Sequence, residues 1–282
     1  MNQNKVLILG AKGMLGQALV QAFCDDKVFA WDIEDLDITN QDEVSNNILQ
    51  ISPDIIINAV GINAVDKIEE DEIFYALAKK VNGDAVLHLV NIANQLQIPL
   101  VHYSSDYIFD GETGEDIDEH TIPNPQSKYA ETKLLGEQHA TKADKHYVIR
   151  LSRLFGNPGI SDGIKKSFID LMIEVSKKQD YLPGIVDEVA SLTYAPDLAN
   201  FTKQLVHGKY PYGVYHGSNE GGASWYDWAK QIFELKNIDI AMKKVQADSF
   251  VRAAKRPAYS VLKNTKGPKQ QHWKDALKEF LS

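Results

Sequence analysis

Short apolar runs separated by stretches of helical periodicity limit what this chain can fold into more than any other feature of it. KVLIL (residues 5–9), KVFAWD (27–32), DIIINA (54–59), PLVHYSS (99–105) and HYVIRLS (146–152) read as strands, rich in β-branched and aromatic side chains. Between the first two, Leu15, Ala18, Leu19, Ala22 and Phe23 recur at helical spacing. Further helices are expected over residues 41–50, 75–97 and 127–141. Near-continuous apolar strands leave no face for water, so they predict a parallel sheet covered by helices on both sides, a doubly wound α/β fold. Past residue 150 the alternation loosens and Gly, Pro and Tyr become more frequent. The expected organisation is a first domain over residues 1–150 and a smaller lobe over 151–282 that sends some segments back to the sheet.

With 282 residues, 44% of them hydrophobic, the chain is long enough to bury a sizeable core. A net charge of −9 argues against nucleic acid or an anionic membrane as the main partner, since both are bound through positive fields. The single cysteine, Cys24, excludes a disulfide framework and a thiolate zinc cage, and no paired His, Asp or Glu spacing suggests another metal site. The first apolar run is too short for a signal sequence, and no run approaches the ~20 residues of a membrane span. A cytoplasmic location is expected.

Ligands of parallel α/β sheets sit at the carboxyl ends of the strands, which directs attention to the loops there. The first is GAKGMLG, with Gly10, Gly13 and Gly16 after a strand and opening a helix around Met14 and Leu15. Glycines let a phosphate approach the backbone, and the helix start offers free N–H donors. Asp32 follows at the end of the second strand, placed to accept hydrogen bonds from an adenosine ribose, while Lys12 suits a 2′-phosphate. NADH and NADPH both stay open, beside the plainer reading of a glycine-rich turn. After the third strand, Asn58, Ala59, Val60 and Gly61 are small enough to admit a flat ring or a ribose.

The fourth strand ends in Ser104 and Ser105, and SKYAETKLLGE follows with Tyr129 and Lys133 four apart on one helix face. Spacing alone also fits a solvated amphipathic helix. With Ser105 upstream, the three residues compose a proton-donating device, in which Ser105 holds a carbonyl oxygen while Tyr129 protonates it. At about 4 Å and an effective dielectric of about 20, the Lys133 cation attracts a phenolate by roughly 4 kcal/mol, enough to move a tyrosine from about 10 toward about 7 before desolvation is counted.

Three weaker features complete the reading. Arg252, Lys255 and Arg256 gather as either a diphosphate clamp or a solvated basic patch. Trp225, Tyr226 and Trp228 are expected in the core of a late helix rather than as a base-stacking platform. The lone histidines, including His102 and His216, are given no role.

Together GAKGMLG, SSDYIFDGE, NPQSKYAETKLLGE, TYAPDLA, SWYDWAKQIF and AKRPAYSVL resemble, in order and over nearly the whole chain, the dTDP-4-dehydrorhamnose reductases of the extended short-chain dehydrogenase/reductase superfamily. The resemblance implies a Rossmann-like dinucleotide-binding domain over residues 1–150 and a mainly substrate-binding lobe over 151–282. It implies NADPH or NADH as cofactor and reduction of dTDP-4-dehydro-β-L-rhamnose to dTDP-β-L-rhamnose for surface polysaccharide. Tyr129 would be the proton donor, Ser105 its hydroxyl partner, and Lys133 would bind the nicotinamide ribose and lower the tyrosine pKa. Gly13, Met14 and Leu15 would line the pyrophosphate, Asp37 and Ile38 the adenine, and Ala59, Val60 and Gly61 the adjoining ribose. Ser105 and Asp106 would face the sugar, with Arg153 and Arg256 also on the substrate side. Two departures bear on specificity: Ser105 stands where the family usually has threonine, and Arg153 where many members have tryptophan. The expected partner is a nucleotide sugar, with a homodimer as the assembly considered. UDP- or GDP-linked keto sugars are the alternative substrates. A dinucleotide-binding partner protein without turnover, like the regulatory subunit of methionine adenosyltransferase, is the alternative class.

Overall fold

The computed structural model describes residues 3–160 and 167–282. The apolar runs become β1 (Lys5–Leu9), β2 (Lys27–Trp31), β3 (Ile55–Asn58), β4 (Leu100–Ser105) and β5 (His146–Leu151). Between them lie α1 (Met14–Ala22), α2 (Gln41–Ile51), α3 (Val65–Glu70), α4 (Glu72–Lys79), α5 (Ala85–Leu96) and α6 (Lys128–Ala140). The second half carries β6 (Leu154–Phe155), α7 (Phe168–Ser176), β7 (Tyr181–Ile185), β8 (Val189–Ser191), β9 (Thr193–Tyr194), α8 (Ala195–His207), β10 (Gly213–His216) and β11 (Gly222–Ser224). It ends with α9 (Trp225–Lys236), β12 (Ala241–Val245), β13 (Tyr259–Ser260) and α10 (Trp273–Leu281).

The main sheet runs β10-β5-β4-β3-β1-β2 with every neighbouring pair parallel. Side chains alternate across such strands, and both faces here are apolar. Val6, Ile8, Val101 and Ile149 pack under α1 and α8, against Leu19, Leu198 and Phe201. Leu7, Leu9, Ile56, Leu100 and Val148 pack under α2 and α5, against Val44, Ile48 and Leu89. A separate core joins Phe155, Leu192, Trp228, Ile232, Phe233, Trp273 and Leu277 in the second half. There β8 pairs with β11 and β13, β7 with β12, and β6 with β9.

One expected element differs. The helix foreseen over residues 75–97 is interrupted by a π-helical turn at Lys80–Asp84, between α4 and α5. The cause is a close crossing with α6. A Cβ on Gly136 would lie 2.0 Å from the Asn82 carbonyl oxygen, and one on Gly83 would lie 2.6 Å from Leu135 Cδ2. The turn aims the buried Asn82 side chain at the loop after β3, where it accepts the Ile62 N–H at 2.8 Å and donates to the Ile62 carbonyl at 2.9 Å and to Thr132 Oγ1 at 3.0 Å. π-turns inside helices recur at functional sites for this reason, since they re-aim a side chain. Because both neighbours at Gly136 are backbone or packed core, Gly136→Ala should destabilise the fold by ~1–3 kcal/mol. Urea unfolding checks this, and unchanged stability would show that the crossing is looser than described.

Candidate active site

The glycine loop sits at the carboxyl edge of the sheet and is built by contact rather than by flexibility. Gly10 has φ +77°, and a Cβ there would lie 2.9 Å from the Ala59 carbonyl carbon, so neither the backbone nor the space admits a side chain. Helix α1 begins at Gly13 with no side-chain cap and no acid in its first turn, leaving its N–H donors for a ligand. It opens on a cleft of about 380 Å³ lined by Gly13, Met14, Leu15, Gly16, Ala59, Val60, Gly61, Ser105, Tyr129, Lys133 and Arg153. A second recess of about 200 Å³ is lined by Gly10, Gly13, Asp32, Asp37, Ile38, Ala59, Val60 and Gly61. The two share Gly13, Ala59, Val60 and Gly61. An extended dinucleotide fits that shape, with its diphosphate at the shared glycine and its two ends in the two recesses. Asp32 is held by the Lys12 N–H at 2.8 Å and the Ile33 N–H at 2.9 Å, and Lys12 Nζ pairs with Glu34 at 2.9 Å.

Ser105 ends β4, while Tyr129 and Lys133 project from the inner face of α6, whose start is capped by Ser127 accepting the Ala130 N–H. Tyr129 is 9% exposed and stands edge-on to Tyr107, ring centres 5.6 Å apart. Lys133 Nζ donates to the Tyr103 carbonyl at 2.7 Å, and a Cβ at Gly61 would lie 3.9 Å from it. Burial pushes the Lys133 ammonium down to about 8. Burial also raises the Tyr129 phenol, opposed by the Ser105 hydroxyl. This corrects the expectation that Lys133 would draw the tyrosine toward neutrality. Desolvation is the largest influence on the phenol, and the ammonium is directed at the Tyr103 carbonyl. The phenol therefore keeps its proton at neutral pH, which is the state a proton donor needs.

Other expected residues stand differently. Asp106 lines the cleft beside Ser105, with its buried carboxylate taken up by serine hydroxyls. Arg153 also lines the cleft. It holds φ 40°, donates to the Ala223 carbonyl at 2.7 Å and the Glu188 carbonyl at 3.0 Å, and lies 4.0 Å over the Trp225 ring. Trp225 packs against the second-half core, stacked on the core residue Trp228, and also lines the cleft with its outer edge, which the core placement alone did not foresee. Arg256 is engaged by Asp66 at 2.7 and 2.6 Å, and this pair holds the Asp66 carboxyl down at about 2. Arg252 pairs with both oxygens of Glu188, and Lys255 reaches Gln126 and Glu112. The two arginines are therefore neither an open clamp nor a solvated patch, whereas Lys255 stays solvated. Asn82 and Tyr107 were missed from the sequence. The Asn-Gly pair at 82 and 83, a breaker inside a helical pattern, was the available signal for the first.

Lys133 gives the site a signature in stability. Its value in the fold lies below that of the unfolded chain, so the unfolded chain holds the proton more tightly between about 8 and the ordinary 10.5. The stability of the native protein, measured against Lys133→Met, should then rise with pH through that window, by up to about 3 kcal/mol. Denaturant unfolding of both proteins on either side of the window tests this, and a flat difference would contradict the burial of a charged lysine.

The comparisons with known proteins agree over almost the whole length. The RmlD substrate binding domain family matches residues 4–282. A dTDP-4-dehydrorhamnose reductase of Aggregatibacter actinomycetemcomitans is 33% identical, over 98% of this chain and 98% of that one. A crystal structure of a dTDP-4-dehydrorhamnose reductase from Clostridium acetobutylicum superposes with a TM-score of 0.91 at 36% identity, covering 98% of each chain. A dTDP-4-dehydrorhamnose reductase from Bacillus anthracis, solved in complex with NADP, gives 0.91 at 30% identity, covering 99% of this chain and 98% of that one. With the glycine loop, Ser105, Tyr129 and Lys133 all in place on this sheet, the chain belongs to the RmlD substrate binding domain family.

Proposed function

We propose that the protein is an NAD(P)H-dependent oxidoreductase that reduces the C4 ketone of a dTDP-linked 4-keto-6-deoxy sugar. The substrate proposed is dTDP-4-dehydro-β-L-rhamnose, giving dTDP-β-L-rhamnose for surface polysaccharide. The observation that carries this is a single cleft in which Ser105, Tyr129 and Lys133 meet the uncapped start of α1. The reductases it resembles over nearly their whole length support the substrate class.

A bound NADPH or NADH supplies the hydride and is itself oxidised. The chain does the rest. The first turn of α1 binds the diphosphate through its N–H groups, and the recess around Asp32, Asp37 and Ile38 takes the adenosine end. Lys133, fixed between the Tyr103 carbonyl and Gly61, presents its ammonium to the nicotinamide ribose. Tyr129 delivers its phenol proton to the C4 oxygen as that oxygen becomes an alkoxide, a base strong enough to take a proton from a phenol whose pKa is raised. Ser105, whose one hydroxyl proton is taken by Asp106, does not donate to the reacting oxygen but orients the Tyr129 phenol beside it. Arg153 and Trp225 border the sugar side, and the arginine at this position favours a second reading, another keto hexose carried on the same or a different nucleotide.

The reading takes residues 1–150 as the cofactor half and 151–282 as mainly the substrate half, in a cytoplasmic enzyme. Among the described residues no helix is long and apolar enough to cross a membrane. A homodimer is the assembly proposed. Turnover is tested by supplying dTDP-4-dehydro-β-L-rhamnose from the upstream epimerase reaction and following reduced nicotinamide absorbance with each cofactor. Tyr129→Phe should lower kcat by roughly 10²–10⁴-fold. Equal activity in the variant would remove Tyr129 as the acid.

A further inference from the structure

SSDYIFDGE and RPAYSVL, the two segments that point most narrowly to this branch of reductases, meet at one buried carboxylate. Asp106 is 2% exposed, next in sequence to Ser105. Its Oδ2 accepts from Ser260 at 2.6 Å and from Ser152 at 2.7 Å, and its Oδ1 accepts from Ser105 at 3.3 Å. Hydroxyls from three separate segments therefore converge on one side chain. Ser260 lies on β13, part of a strip from the C-terminal half that is laid along the loop following Asp106. The Tyr259 N–H donates to the Gly111 carbonyl at 3.2 Å, the Ile117 N–H to the Val261 carbonyl at 2.8 Å, and the Lys263 N–H to the Ile117 carbonyl at 2.7 Å.

A carboxylate this buried is stable as an anion only while donors surround it. Burial raises its pKa, and the hydroxyls of Ser260, Ser152 and Ser105, with the Arg153 guanidinium nearby, oppose that. The phenols of Tyr107 and Tyr129 feel the same negative charge. A serine has one hydroxyl proton. With that proton directed at Asp106 and its oxygen accepting the Tyr107 N–H at 3.2 Å, Ser105 is gripped from behind, and the position of Oγ against Tyr129 is set.

We propose that Asp106 is a positioning residue: Ser152 and Ser260 hold its carboxylate, the carboxylate holds the Ser105 hydroxyl, and docking of residues 259–262 thereby sets the catalytic geometry. This rests on the reduction proposed above.

The test is a set of mutant cycles on the full chain with saturating cofactor and dTDP-4-dehydro-β-L-rhamnose, each variant checked by thermal unfolding. Ser260→Ala should lower kcat roughly tenfold while the sugar-nucleotide KM stays within about twofold, and should cost nothing further in a Ser105→Ala background. Ser152→Ala, which removes the second donor to the same carboxylate, should behave alike. A loss confined to KM, or the same fold-loss with and without Ser105, would overturn the proposal while leaving the reduction intact. A native protein that turns over no 4-keto sugar nucleotide would overturn the reduction itself, and this proposal with it.

Discussion

The buried ion pair between Glu137 and Arg150 holds the catalytic helix in place. Arg150 donates to the two oxygens of Glu137 at 2.6 and 3.1 Å, with both side chains almost wholly removed from water. Its remaining reach is toward the Glu119 carbonyl and His216, and its guanidinium lies 5.1 Å from the Phe109 ring centre. Charges this deep are tolerable only together, so removing one partner costs about 3–5 kcal/mol. The pair ties α6 to β5 one turn beyond Lys133. Gly136 brings α6 against the π-turn, and Ser127 fixes where the helix starts. Those constraints set the phase of the helix, and the phase turns Tyr129 and Lys133 to the end of β4.

Once the helix is placed, desolvation governs the chemistry. The same burial that shields a hydride transfer from water raises the Tyr129 phenol and lowers the Lys133 ammonium, so both shifts favour neutral groups. The Tyr103 carbonyl beside the ammonium keeps a favourable contact for it, and Tyr129 stays loaded with its proton. Electrostatic help for the transition state has to come from groups already aimed at it, which makes the fixed position of the Tyr129 phenol beside Ser105 matter more than a lowered tyrosine pKa.

What could be read from the sequence was local. The strands, the glycine turn and the Tyr129–Lys133 pair follow from continuous apolar runs, a spacing of four and residue type, and the structure gives the strands within a residue or so at each end. What could not be read depends on partners far away along the chain. Asp66 answers Arg256 across 190 positions, and Ser260 answers Asp106 across 154, and no local pattern records either. The basic segment therefore looked like a free cluster, although its arginines have carboxylates waiting. The second role of Trp225 went unread for a related reason: it packs on the core as its helix predicts, but Arg153, brought over it by a left-handed backbone turn, makes its other edge part of the cleft.

The measurement that tests the account most directly is the fate of the hydride. The protein is incubated with nicotinamide cofactor deuterated at its transferable position and with dTDP-4-dehydro-β-L-rhamnose, and the sugar is read by proton magnetic resonance. The account predicts an alcohol at C4 carrying deuterium there, formed in step with cofactor oxidation. A cofactor that binds tightly yet leaves the ketone unlabelled and unreduced, with other 4-keto sugar nucleotides as well, would contradict it and make this chain a dinucleotide-binding partner protein.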